Sequence, residues 1–281
     1  MRIHRDGVAL GYEEAGRGDP PIILVHGWGT DRSVLQPLSH DLRRSHRVLA
    51  LDLRGFGESD APEQSYTIES YTGDLAFVAD RLGLERPIVI GHSMGGVIAL
   101  DFAARHGDRM SAAVVLEGMI VAPELLAGLR PILDGVRTDA YRDVVANLMA
   151  HLTGPHFDPV ERARLVTFIT SCPQHVLVSA MEGILAFDSV AAAAHVKCPL
   201  LYVGTNATYT NVARLRELCP QVLIGQLVGC GHYFPLEVPD QLSPMVARFI
   251  ETQGAGRTSL LARGERRAGS VERATLRRRG R

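Results

Sequence analysis

Cysteine is scarce in this sequence, and its spacing pairs nothing. The four cysteines, Cys172, Cys198, Cys219 and Cys230, form no C-x-x-C, so neither a zinc ribbon nor a dithiol redox site is indicated, and buried free thiols are the expected reading. No metal and no cofactor is expected. No apolar run approaches the roughly 18 residues needed to span a bilayer, so no membrane partner is expected. The formal net charge is −1 over 281 residues, which supplies no field to attract nucleic acid. Met1-Arg2-Ile3-His4-Arg5-Asp6 carries charges where a secretory signal needs apolar residues, and a cytoplasmic location is the expectation. Internal repeats are also absent.

The small net charge is unevenly spread. From Gly254 to Arg281, nine arginines against two glutamates leave a net +7. That stretch has too little apolar content to bury itself, so residues 254–281 are expected to be a disordered basic tail.

What is present is alternation. Ile22–Val25, Arg47–Leu51, Ile88–Ile90, Ala113–Leu116, Leu200–Val203 and Val222–Ile224 are short apolar runs, the pattern of strands buried on both faces. Residues 1–20 read as a hairpin turning at Asp6-Gly7. Helical patterns lie between most runs, such as Ser70–Leu82 with Leu75, Val78, Ala79 and Leu82 on one face. The expected fold class is therefore α/β, a mostly parallel twisted sheet flanked by helices. Residues 122–195 break the pattern with amphipathic, proline-punctuated segments and are expected to form a helical cap. The core is expected over 1–121 and 196–253. A cap over the C-terminal edge of the sheet would shape an apolar pocket and exclude water.

Chemistry enters at Gly91-His92-Ser93-Met94-Gly95-Gly96, directly after a strand run and before an Ala-rich helix. This is a G-x-S-x-G elbow, with Ser93 at the apex of a tight turn that needs small neighbours. Serine is a weak nucleophile and needs a base. His232 lies on a glycine-rich loop after the last strand, where a parallel sheet would open it toward the elbow. The oxyanion of an acyl-transfer intermediate needs donors. The backbone amide of Met94 is one candidate. Trp28, in His26-Gly27-Trp28-Gly29 after the first buried strand, is the other.

These pieces together resemble the α/β-hydrolase fold family. The matching segments are His26–Gly29, Asp52-Leu53-Arg54-Gly55-Phe56-Gly57-Glu58-Ser59-Asp60, the Gly91–Gly96 elbow and Gly231-His232, spread over roughly residues 8–250. The resemblance implies that 122–195 is the family's helical cap. It also implies that Asp52–Asp60 is mainly structural, with Arg54 and Asp60 tying the loop by ion pairing. One departure stands out. Many such enzymes carry an aspartate after the strand that is Leu200–Val203 here, yet Gly204-Thr205-Asn206-Ala207-Thr208-Tyr209-Thr210 has no carboxylate. Some branches place the acid after the preceding strand, where this chain has Glu117. Glu117 is the proposed acid, Asn206 the neutral alternative, and Asp188 is expected on the wrong side of the sheet.

The expected activity is serine hydrolysis of a carboxylic ester or lactone through an acyl-enzyme, by a Ser93–His232–Glu117 triad. The expected partner is a small-molecule ester or lactone. A serine at the elbow argues against epoxide hydrolases and haloalkane dehalogenases, which the resemblance associates with an aspartate there. Amide hydrolysis, C–C bond hydrolysis and cofactor-free haloperoxidase-type activity use the same scaffold and remain as alternatives. A non-catalytic small-molecule receptor on that scaffold is the alternative of a different class. His26, Met119, Ile120 and Tyr233 are expected at the substrate pocket. Leu125, Leu126, Leu129, Leu148, Phe157, Phe168, Ile169 and Phe187 supply either a pocket wall or the cap's own core. Oligomeric state is not legible, and a homodimer stays open.

Overall fold

The computed structural model describes residues 1–252. The stretch expected to be a basic tail, 254–281, lies outside the described residues. Eight strands form one sheet: β1 (Arg2–Arg5), β2 (Val8–Ala15), β3 (Ile22–Val25), β4 (Val48–Leu51), β5 (Ile88–His92), β6 (Ala112–Leu116), β7 (Leu200–Gly204) and β8 (Val222–Gln226). Their order is β1-β2-β4-β3-β5-β6-β7-β8. The pairs β1·β2 and β2·β4 are antiparallel and all others parallel.

Alternate residues of each strand serve opposite faces, because strand side chains have a period of two. Ile23, Val25, Val89, Ala113 and Val115 pack into one core. Ile22, Leu24, Ile88, Ile90, Val114 and Leu116 pack into another on the far side. All are buried, which is why these strands read as unbroken apolar runs rather than as alternations.

Helices cover both faces. The far core is closed by α1 (Gln36–Leu42) and by a terminal helix over 239–252, which contribute Leu38, Leu242, Val246 and Phe249. The near core takes in α2 (Ile68–Arg81) and α3 (Met94–His106). Helix α2 starts on a capping box in which Thr67 and Ser70 satisfy each other's amides.

Between β6 and β7 the described chain contains helices and no strand: α4 (Pro123–Leu126), α5 (Arg130–Val136), α6 (Tyr141–Leu152), α7 (Pro159–Ser171), α8 (Gln174–Ala186) and α9 (Ser189–His195). Asp158 and Asp188 cap α7 and α9 by accepting from the first-turn amides. Asp188 thus has a local structural role. Helix α9 packs on α3, while α5 packs on α6 and α8, and α6 on α7. Two short helices follow β7 and β8, α10 (Val212–Leu218) and α11 (Phe234–Glu237). Among the described residues, no single helix is long and apolar enough to cross a membrane; α8 and α9 pass such a test only as a pair bent by 61°.

The Asp52–Asp60 loop is held by ion pairs, but not by the expected one. Arg54 donates Nε and Nη2 to Asp74 on α2, each at 2.5 Å. Asp60 instead accepts from the Ala9 amide at 2.8 Å and pairs with Arg2. The reason is burial. Arg54 is 8% exposed and Asp74 1%, and a buried guanidinium needs a carboxylate buried with it.

Candidate functional site

Parallel register brings the site together. His92 of β5 pairs with Leu116 of β6, and Leu116 with Val203 of β7. The next residues along, Ser93, Glu117 and then Gly204-Thr205, therefore emerge side by side at the C-terminal edge. The ladder continues one step into the loops: the Ser93 amide donates to Leu116 O at 2.9 Å and the Glu117 amide to Val203 O at 2.8 Å.

Ser93 has φ +56° and ψ −118°. A non-glycine residue there costs on the order of 1–3 kcal/mol and persists only when its surroundings hold it. The surroundings are close. A Cβ on Gly91 would lie 1.9 Å from Gly95 O, and one on Gly95 would lie 2.2 Å from Val25 O. Both positions admit only glycine. Met94 is the first residue of α3, so its N–H has no acceptor within the helix. The Gly27-Trp28 segment runs against the elbow, where a Cβ on Gly27 would lie 3.0 Å from Ser93 Cβ. The Trp28 indole donates to Leu177 O of α8 at 2.8 Å, which fixes that loop against the helical layer.

Glu117 also has positive φ, +47°, and is 1% exposed. Both carboxylate oxygens are used. Oε2 lies 3.2 Å from His232 Nδ1, and Oε1 accepts from the Thr205 amide at 3.0 Å and the Thr205 hydroxyl at 2.8 Å. With Nδ1 bound to a carboxylate, His232 keeps Nε2 for other work. Asn206 is exposed and bonds to Gln226, so the neutral alternative has no contact with His232.

The loop carrying His232 is anchored to α6. The His232 amide donates to Leu152 O at 2.6 Å. Glu237 Oε2 accepts from both the Gly231 amide at 2.9 Å and the Gly154 amide at 3.1 Å, joining the loop to the chain after α6. A Cβ on Gly231 would lie 2.3 Å from the Gly154 nitrogen. His92 Nε2 donates to His232 O at 2.9 Å. Burial, with His232 nearby, lowers the His92 pKa to about 3, so His92 is a neutral donor to that carbonyl.

Ser93, Met94, Glu117, His232 and Trp28 all line one cavity of about 620 Å³. Of the residues expected at the pocket, Met119 lines it and the other three do not. His26 is fully buried: Nδ1 donates to Gly27 O at 2.8 Å and Nε2 accepts from the Leu53 amide at 3.0 Å, so it braces two loops. Ile120 is fully buried with its amide toward Thr210. Tyr233 is buried among the rings of His92 and His232. Of the apolar residues between 122 and 195 singled out above, Leu125, Leu129 and Leu148 line the cavity. Ile169 is fully buried, and Leu126 and Phe187 line a separate hollow.

Sequence reasoning missed Thr205, Tyr209 and Glu237. Tyr209 lines the cavity with its ring centroid 5.6 Å from that of His232, edge-on. Burial and the Glu117 charge raise its pKa. Among the described residues, no three His, Cys, Asp or Glu side chains converge as a metal site.

A family model for the alpha/beta hydrolase fold matches residues 20–198, and the chain belongs to that family. An enol-lactonase from Burkholderia xenovorans LB400 superposes with a TM-score of 0.81 at 27% identity, over 89% of this chain and 100% of that one. A 2-hydroxy-6-oxo-2,4-heptadienoate hydrolase of Pseudomonas putida is 35% identical over 131 residues, 44% of this chain and 46% of that protein. Epoxide hydrolase 4 of Mus musculus is 36% identical over 123 residues, 41% and 33% of the two chains. The similarity to these two curated relatives thus spans less than half of their length.

Proposed function

We propose that this protein is a serine hydrolase that cleaves a small-molecule carboxylic ester or lactone through an acyl-enzyme. The Ser93 hydroxyl attacks the carbonyl carbon while His232 Nε2 takes its proton. Glu117 holds the imidazole through Nδ1 and stabilises its charged form. The amides of Met94 and Trp28 hold the oxyanion. Collapse of the tetrahedral intermediate breaks the C–O bond, and the leaving oxygen takes the proton from His232. Water then repeats the sequence on the acyl-serine, releasing the acid and restoring the serine.

The observation that carries this reading is the 3.2 Å contact between Glu117 and His232 Nδ1, in the cavity that Ser93 also lines. That contact supplies the charge missing from the loop after Gly204 and weakens the receptor alternative, which rested on its absence. The elbow serine separates this reading from epoxide opening by an aspartate nucleophile. Mass spectrometry of the protein quenched during turnover of p-nitrophenyl butyrate tests it. An acyl adduct on Ser93, lost with turnover in Ser93→Ala, is expected. Undiminished turnover in Ser93→Ala, or saturable ester binding with no turnover, overturns it.

A further inference from the structure

We infer that the substrate is an uncharged ester or lactone carrying an extended alkyl chain, and that chains ending in a carboxylate are rejected. This rests on the proposed ester chemistry and goes beyond it. The cavity holds far more than an acetyl group. Apart from Ser93, Glu117, Tyr209 and His232 at the sheet edge, its polar side chains are Asn147 and His151 of α6, both exposed and so at its rim, and the indole of Trp28, whose N–H is already bonded. The remaining wall is built from residues such as Val97, Leu129, Ile132, Leu148 and Ile184. It continues outward to Leu125, which is 41% exposed, so the apolar surface runs from the reacting end to solvent.

No arginine or lysine lines this cavity among the described residues. The nearby cations of the helical layer are engaged or turned elsewhere. Arg162 donates to Thr153 Oγ1 at 2.7 Å, Arg137 pairs with Asp134 and Glu182, and Arg130 lines the separate hollow beside Asp188. A carboxylate drawn into the apolar part would lose its hydration with no partner, a large cost. Each methylene placed there gains up to about fourfold in transition-state binding. A dienoate, the substrate class in the name of the Pseudomonas putida relative, therefore fits this wall poorly.

The experiment compares p-nitrophenyl acetate, butyrate and octanoate with mono-p-nitrophenyl suberate, which has the octanoate's length and a terminal carboxylate. A fluorophosphonate probe of Ser93 runs alongside. The expected kcat/KM for octanoate exceeds that for acetate by about a hundredfold, and the suberate half-ester falls at least tenfold below octanoate. Leu148→Trp, which fills the wall, should lower the octanoate-to-acetate ratio about tenfold. Acetate hydrolysed as well as octanoate, or suberate as well as octanoate, overturns the inference while probe labelling leaves the serine chemistry standing. Absence of both labelling and turnover overturns the two together. If Leu148→Trp does not fold, the wild-type series alone decides.

Discussion

Glu117 and Thr205 share three polar atoms across the gap between two strand ends: one carboxylate oxygen receives both the amide and the hydroxyl of the threonine. Thr205 stands in the loop where the family's usual aspartate would be sought. Here that loop supplies two donors to the Glu117 carboxylate, whose other oxygen lies 3.2 Å from His232 Nδ1.

Under the proposed mechanism, Glu117→Gln should lower kcat by about 10³–10⁴-fold, as loss of the orienting charge does in serine triads, with a thermal midpoint close to wild type. Thr205→Val removes one of the two bonds to Oε1. It should lower kcat by about tenfold, the scale of one hydrogen bond to a charged group. Steady-state kinetics beside thermal melts check both. Full activity in Glu117→Gln would remove Glu117 from the mechanism.

Gly95 sits against Val25 O, and its missing side chain is what lets the elbow close. Gly95→Ala should destabilise the fold by about 1–3 kcal/mol or more, the range for overpacking against atoms that cannot retreat. Urea unfolding measures it. A stability equal to wild type would show that the turn has room to shift.

Burial lowers the pKa of His92 to about 3, from an ordinary 6.5, and lowers that of His26 as well. Below pH 6.5 the unfolded chain binds protons at these positions that the native protein refuses. Stability should therefore fall as pH drops below about 6.5, by about 1.4 kcal/mol per pH unit for His92, with His26 contributing in the same direction. Urea midpoints between pH 7.5 and 5 give the slope. His92→Asn retains a donor for the His232 carbonyl and should remove about one proton's share of that slope. An unchanged slope would mean that His92 is solvated in the native state.

Glu237 holds two amides with one oxygen, Gly154 after α6 and Gly231 beside His232. Glu237→Gln keeps an oxygen there and should keep kcat within a few-fold of wild type. Glu237→Ala leaves both amides without that acceptor and should lower kcat by tenfold or more, at about 1 kcal/mol per lost bond, with a smaller change in KM. Kinetics on the pair decide the point; equal loss in both would assign the effect to the charge.

Much of the fold was legible because strands buried on both faces cannot hide: Ile22–Val25, Ile88–Ile90 and Ala113–Leu116 offer no polar face. The elbow was legible because its chemistry is local, with two glycines within two residues of a serine. Glu117 followed from the family resemblance, because some branches place the acid after the preceding strand and this chain has its glutamate there. Thr205 did not, because its role exists only once β6 and β7 lie in register. The resemblance implies that Arg54 ties the Asp52–Asp60 loop by ion pairing but does not name its partner, Asp74, which comes from a helix packed against the loop. His26, Ile120 and Tyr233 neighbour functional positions in the chain but turn into the protein instead of the cavity. Side-chain direction after a strand end depends on tertiary packing that adjacency does not encode.

The anchoring of the His232 amide on Leu152 O gives the helical layer a second duty. Helix α6 supports the His232 loop, and α8 steadies the Trp28 loop through Leu177 O. Under the proposed mechanism, a shortened protein lacking residues 123–195 would thus lose the scaffolding of its reaction centre along with most of its lipophilic wall. The layer is a structural member of the frame around Ser93 and His232 rather than a lid resting on a self-sufficient base.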